Sequence, residues 1–435
     1  MTQLPPDHPD RAFLAEEVHA RPPDTLETPS RVSYVAVVVN PEERQREWQH
    51  VASLCDSFGV APPLHDANHF AATLGAVRLK WERHSEFSGY TFVTTGRSPT
   101  PFSDQPIGHL PTGWLAGIPG STLLAAHAKV IPAGAAEPDA EFLSDHFGNQ
   151  IVVGAEIGGG AGSAYTDLRI HGDGFERFVI LNRSLTARQS GRMVQRLFEI
   201  EAYRMMALLA LPLVHPVSVE IAANEQALAD LTAALAATGA DVDALLQRLT
   251  RLAAEVQATV TRTQFRFNAC RAYHELVTAR IAELRERRVA GIQPIGEFMS
   301  RRFSPAVATC ANTAQRLREL SDRIGQASAL LSTRVDIVRE QQNQRLLESM
   351  NLRAERQFRL QQAVEGLSVA AIVYYGAGLI GYLAKALKSV GYPIDPEITV
   401  GLAIPVIGVL CAWALRRAHR RLARVGTMPT IESFH

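Results

Sequence analysis

The sequence predicts a mixed α+β or α/β cytoplasmic domain, then long antiparallel helices forming a coiled-coil-like stalk, and last a two-helix transmembrane hairpin. Three observations carry this reading. β-rich runs crowd the first 185 residues, a proline-poor stretch with apolar steps of three, four and seven follows, and two charge-poor apolar runs stand near the end. A chain of 435 residues exceeds what one hydrophobic core usually organises, so two or three structural units are expected. The balance of 44 basic against 44 acidic residues gives no reason to expect a nucleic acid partner.

Residues 1–185 form the mixed domain. Its start, MTQLPPDHPDRAFLAEE, is polar and acidic, without the basic-then-apolar order of a signal peptide, so export is not expected. RVSYVAVVV, LGAVRLKWE, GYTFVTT, LLAAHAKVI, IVVGAEI, AYTDLRI and ERFVILN read as strands, with a helix from Glu42 to Phe58. Alternation is clearest in AYTDLRI. The unbroken apolar character of RVSYVAVVV fits a strand covered on both faces.

Residues 186–304 read as a helical bundle punctuated by Pro212, Pro216 and Gly239. Leu245, Leu249, Leu252, Val256, Val260, Phe267, Leu276 and Ile281 make one stripe, and the linker VAGIQPIGEFMSRRFSPA leads on to a stalk helix over residues 305–366. There Cys310, Leu317, Leu320, Ile324, Ala327, Leu331, Val335 and Val338 repeat the seam pattern, which lapses at Gln341 to Gln344. Gln341 and Asn343 are candidates to line a polar throat or a solvated face. An unbroken helix from here into a membrane would hold roughly 80 residues and reach about 120 Å.

Residues 367–387 would extend about 31 Å as a helix, close to the hydrocarbon thickness of a bilayer, with Lys385 near the end where it can snorkel. Residues 398–415 carry no charge and reach about 27 Å, with a kink expected at Pro405. Between them Gly391, Pro393 and Pro396 break the helix, making residues 388–397 an outer loop. Arg353, Arg356 and Arg359 precede the pair; Arg416, Arg417, Arg420, Arg421 and Arg424 follow it in a basic tail, residues 416–435. The positive-inside rule therefore places both ends in the cytoplasm. Gly376, Ala377, Gly378 and Gly381 let membrane helices approach closely, either within one hairpin or between copies.

Catalytic signals are weak. Gly158 to Gly162, GGGAG, follow a strand but lack the Lys-Ser/Thr pair of a phosphate loop and precede another strand, so a hairpin turn is expected. His65 and His69 have the spacing of metal ligands on one helix face, without an identifiable third ligand. Glu17, His19 and Arg21 in EVHARPP read as a surface turn. Cys55, Cys270, Cys310 and Cys411 lie far apart and never as CxxC, which suits a reducing cytoplasm and suggests neither disulfides nor a zinc knuckle. Neither a nucleophile elbow nor HExxH occurs, so the expectation is no enzyme, no cofactor and no bound metal.

EVHARPP, the β-rich domain, the long helices, YGAGLIGYLAKA and GLAIPV together resemble a bacterial family catalogued as domain of unknown function 3422, a likeness that spans the chain and implies membrane anchoring but no activity. The order of parts is similar to that of CorA-type divalent-cation channels, which implies a pentamer with the first membrane helix lining the pore. The Gly-Met-Asn motif of those channels is absent from LAKALKSVGYP, and Lys385 and Lys388 would repel a divalent cation at short range. Two helices of one chain cannot enclose a water-filled path, so any transport needs a ring of copies. The expected partners are the lipid bilayer and further copies of the chain. The expected role is an oligomeric ion transporter or, alternatively, a tethered scaffold or regulator.

Overall fold

The computed structural model describes residues 5–17, 23–98, 100–134, 138–237, 241–389, 391 and 393–425. Helix α1 (Arg11–Glu17) precedes strand β1 (Ser30–Val38), helix α2 (Arg44–Ser57) and strands β2 (His69–Leu74), β3 (Val77–Arg83), β4 (Phe87–Thr95) and β5 (Ser121–Pro132). Helix α3 (Ala140–Phe147), strands β6 (Val153–Ile157), β7 (Gly162–Thr166) and β8 (Glu176–Asn182) complete this part. The strands form one sheet in the order β2-β3-β4-β1-β5-β8-β7-β6, antiparallel at every pairing except β5 with β8.

β1 sits between β4 and β5 and is buried at every position but its last, which is why its sequence does not alternate. Its side chains still do, by the period of two in a strand. Val32, Tyr34 and Ala36 face one core with Phe178 and Ile180; Val35 and Val37 face the other, against Val51, Leu54 and Cys55 of α2. AYTDLRI behaves otherwise. β7 ends at Thr166 because Leu168 turns the chain at a φ of 52°, and the buried Asp167 carboxylate accepts from the Arg169 N–H at 3.3 Å. The expected strand over residues 164–170 is therefore only half built. β2 and α3 were not foreseen, the first because HFAATL is a short, partly exposed edge strand that carries little pattern.

Helix α4 (Ala187–Leu208) begins with a capping box, in which the Thr186 hydroxyl accepts from the Gln189 N–H and the Gln189 side chain accepts from the Thr186 N–H. Its apolar side, Met193, Val194, Leu197 and Phe198, covers the sheet, and Phe198 stacks on Tyr34 with ring centroids 4.9 Å apart. Helices α5 (Leu211–Ala236) and α6 (Val242–Leu284) follow, then a short α7 (Ile295–Arg302) inside the expected linker, α8 (Ser304–Ser389) and α9 (Pro396–Val425). Leu228 and Leu231 of α5, Leu249, Leu252 and Val256 of α6, and Leu317, Leu320 and Ile324 of α8 share one core. The apolar steps read from the sequence thus make a three-helix seam. Farther along, Phe267 and Cys270 of α6 and Cys310 of α8 join the core beneath the sheet, so the residues expected as a separate bundle, 186–304, share a core with residues 1–185.

The chain divides into two compact units, Met1–Leu331 and Ser332–His435, with the division inside the 86-residue α8. The residues expected as a basic tail from 416 onward continue α9 as far as Val425.

Candidate functional site

In the unit Ser332–His435 the apolar runs are bare. Among the described residues, three helical stretches are long and apolar enough to cross a membrane by length and composition: Ala187–Ala236, Ile295–Ser389 and Pro396–Arg417. Burial separates them. In the most apolar window of each, 28%, 11% and 0% of the residues are buried, in that order. The first belongs to the sheet core through Val194, Leu197 and Met206. The other two leave Tyr374, Leu379 and Tyr382 of α8 and Leu402, Val409 and Trp413 of α9 exposed, Tyr382 at 77%. A contiguous apolar surface of that kind marks an interaction with lipid or protein rather than with water.

The glycines serve two faces. A Cβ on Gly376 would stand 3.2 Å from Ile407 Cδ1, and one on Gly381 would stand 3.0 Å from Val400 Cγ2. Five residues forward along α8 thus correspond to seven back along α9, so the helices run antiparallel at this contact. Ala377 and Ala384 are buried on α8. Gly378 meets nothing within 4 Å and lines an open groove of about 960 Å³ with Gly381, Tyr374, Tyr382, Lys385 and Glu397. Gly381 therefore belongs to both the contact with α9 and the groove, Gly376 to the contact and Gly378 to the groove.

The remaining candidates lie as follows. Gln341 and Asn343 are exposed on α8, within the stretch where the seam lapses. Arg416 and Arg417 are exposed, and the Arg417 guanidinium lies 5.1 Å from the centre of the Trp413 ring, a pairing suited to a membrane-water boundary. Arg420, Arg421 and Arg424 continue the helix, and their side chains lie outside the described residues, as do His19 and Arg21. GGGAG forms the turn between β6 and β7, with Gly158, Gly159 and Gly160 all at positive φ. His65 lies outside any helix and approaches Gln45 at 2.7 Å, whereas His69 opens β2, so the helical spacing suggested for the two is not realised. No group of three His, Cys, Asp or Glu side chains able to hold a metal occurs among the described residues.

Sequence reasoning missed two polar clusters whose members are distant in the chain. Lys80 pairs with Glu82 at 3.0 Å beside Tyr34 and Glu199, but the space there is about 30 Å³. At roughly 10–15 Å³ per probe-sized water, that admits about two or three waters rather than a substrate. The second cluster is Glu176 at the start of β8 with Glu201 and Arg204 of α4; Arg204 pairs with Glu201 and stands 3.9 Å from Glu176. Burial, then the negative Glu201, push the Glu176 carboxyl up to about 9, with Arg204 opposing. Across the interval between the ordinary 4.5 and about 9 the folded chain holds a proton that the unfolded chain has lost. This contribution to stability is full below the lower value and fades as pH rises to the upper one. Glu176→Gln is neutral throughout, so its melting temperature relative to the parent is expected to climb steadily with pH over that interval. Parallel curves for the two proteins would show that Glu176 does not hold the proton.

One family model, described as "Protein of unknown function (DUF3422)", matches residues 6–422. No curated protein and no solved structure matches the chain.

Proposed function

Because the chain belongs to this DUF3422 family, whose description names no activity, we propose a role from the geometry alone: an integral protein of a bacterial inner membrane, anchored by α8 and α9 as a hairpin with both ends cytoplasmic. The observation that carries this reading is the 0% burial across the apolar window of α9. Exposing a large apolar side chain to water forgoes about 1.5–3 kcal/mol, and α9 alone presents Ile398, Leu402, Ile404, Val406, Val409, Leu410 and Trp413. Lipid removes that cost. Small residues at Gly376 and Gly381 support close hairpin packing, and the arginines from Arg416 onward support the inward orientation.

The test is extraction. The full-length protein is expected to stay in the membrane pellet through an alkaline carbonate wash and to need detergent for release. Leu402→Arg with Val409→Arg, each costing about 2.5–3.5 kcal/mol near the centre of a span, is expected to shift the protein to the soluble fraction. A parent protein released by carbonate alone would reject the anchor.

A second reading, a ring of copies with a CorA-like plan and an ion path, is favoured by one feature. α8 runs without a break from the cytoplasmic seam past the exposed Gln341 and Asn343 to Gly378, whose side is open to a neighbour. In that reading the copies meet through the Gly378 face and α8 lines the axis, as a pentamer if the CorA likeness holds. Purified protein reconstituted in vesicles should then be oligomeric and pass cations. Replacement of the hairpin by an unrelated anchor with retained function would favour a tethered scaffold instead.

A further inference from the structure

Independently of the membrane, a groove of about 500 Å³ opens where α4, the end of α6 and the β6–β7 turn come together. That volume is in the range of small-molecule sites. Three guanidinium groups line it, those of Arg192, Arg196 and Arg285, against the single carboxylate of Glu283. The carboxylate is already engaged. Arg196 Nε donates to it at 2.8 Å and Arg280 Nη1 at 2.7 Å. Arg192 and Arg285 have no ion-pair partner among the described residues, so the groove holds two uncompensated positive charges over an apolar floor of Leu185 and Met193.

Arg285 stands at the carboxy-terminal cap of α6 with φ 50° and ψ 56°, a left-handed conformation. Glycine is the favoured residue there, because a side chain with a Cβ is crowded against the following carbonyl oxygen. The backbone is held in place by the neighbouring turn, whose Gly158 N–H donates to the Leu284 carbonyl at 2.8 Å. An arginine carried in a glycine position, at the edge of a ligand-sized groove and without a carboxylate, is consistent with a side chain retained for what it binds.

We propose that this groove binds a small molecule bearing a phosphate or phosphoester group, gripped by Arg192 and Arg285, with Arg196 held in position by Glu283. Planar guanidinium groups match phosphate oxygens two at a time. The phosphate could belong to a soluble molecule such as a nucleotide or to the headgroup of a lipid. Both present non-bridging phosphate oxygens to the arginines.

The experiment is calorimetric titration of the full chain in neutral detergent with three probes: pyrophosphate, a nucleoside triphosphate, and glycerophosphoglycerol as the soluble headgroup of an anionic lipid. Saturable binding of at least one probe is expected, weakened at least tenfold by Arg192→Ala and by Arg285→Gly. Arg285→Gly also removes the left-handed backbone cost, so its melting temperature should equal or exceed that of the parent, which separates lost binding from lost folding. Binding of the first two probes alone assigns the soluble source, and binding of the third alone assigns the lipid. Failure of all three to bind more tightly than about 1 mM, or binding that both variants leave unchanged, would overturn the proposal.

Discussion

Gly191→Ala is expected to unfold the sheet unit. Gly191 lies on the first turns of α4 where the backbone of Asp24 crosses it, and a Cβ there would stand 1.6 Å from the Asp24 carbonyl oxygen and 2.6 Å from its carbonyl carbon. No rotamer relieves such a clash, because the obstacle is main chain. The crossing segment would have to lift away, taking with it the Leu26 N–H bond to the Ala187 carbonyl at 2.9 Å and the buried Leu26 side chain. Loss of that burial and hydrogen bond alone comes to about 3 kcal/mol, before the disturbance to Val32 and Val194 in the same core is counted. Thermal melting in detergent should show a transition lowered by many degrees or absent. A variant that melts with the parent would mean that the segment from Asp24 to Leu26 does not lie on α4.

The second large effect is expected at Glu47. This residue of α2 is 0% exposed beneath the outer half of the sheet. One carboxylate oxygen accepts from Trp81 Nε1 at 3.1 Å and from the Tyr90 hydroxyl at 2.9 Å; the other faces the guanidinium groups of Arg44 at 3.3 Å and Arg83 at 3.4 Å. All four partners converge on one side chain. Glu47→Ala leaves the Trp81 and Tyr90 donors unsatisfied and removes the buried carboxylate that faces Arg44 and Arg83, which typically costs about 3–5 kcal/mol. The destabilisation should be read from urea unfolding followed by tryptophan emission, since Trp81 reports on the same cluster. An unfolding midpoint equal to that of the parent would show that the arginines are neutralised elsewhere.

Neither effect could be read from the sequence, and the reason is the same in both. Glu47, Trp81 and Tyr90 meet only because α2 lies across β3 and β4, and Gly191 is needed only because a segment far upstream passes over α4. Periodicity reports which way a residue faces within its own element; it is silent on which element lies opposite. The same limit hid the groove, whose Arg192 and Arg285 come from α4 and the end of α6. It hid the meeting of Cys270 and Cys310 as well, two thiols far apart in the chain that share the core between α6 and α8.

What was legible depended on one strong local signal at a time. RVSYVAVVV announced a strand covered on both faces, because an interior strand with a helix on each side has no solvent face to alternate toward. The leucine steps from Leu245 to Leu331 announced a helical seam, although three helices share it. Where signals conflicted, context decided. The alternation of AYTDLRI suggested a full strand, but positive φ at Leu168 and the inward Asp167 carboxylate stop it at Thr166. In the glycine-rich part of α8 the composition was plain while the faces were not, since the direction of Gly378 relative to Gly376 depends on where α9 lies.

The hairpin itself is tested most directly by the side of the membrane on which its loop lies. Cys55, Cys270 and Cys310 are buried, so with Cys411 replaced by alanine a single new cysteine can report its surroundings. In intact spheroplasts, Asp395→Cys should react with a membrane-impermeant maleimide, whereas Arg345→Cys, on the exposed part of α8, should react only after lysis. If Asp395→Cys instead needs lysis to react, the two helices do not cross the bilayer with their ends inside, and the anchor is contradicted.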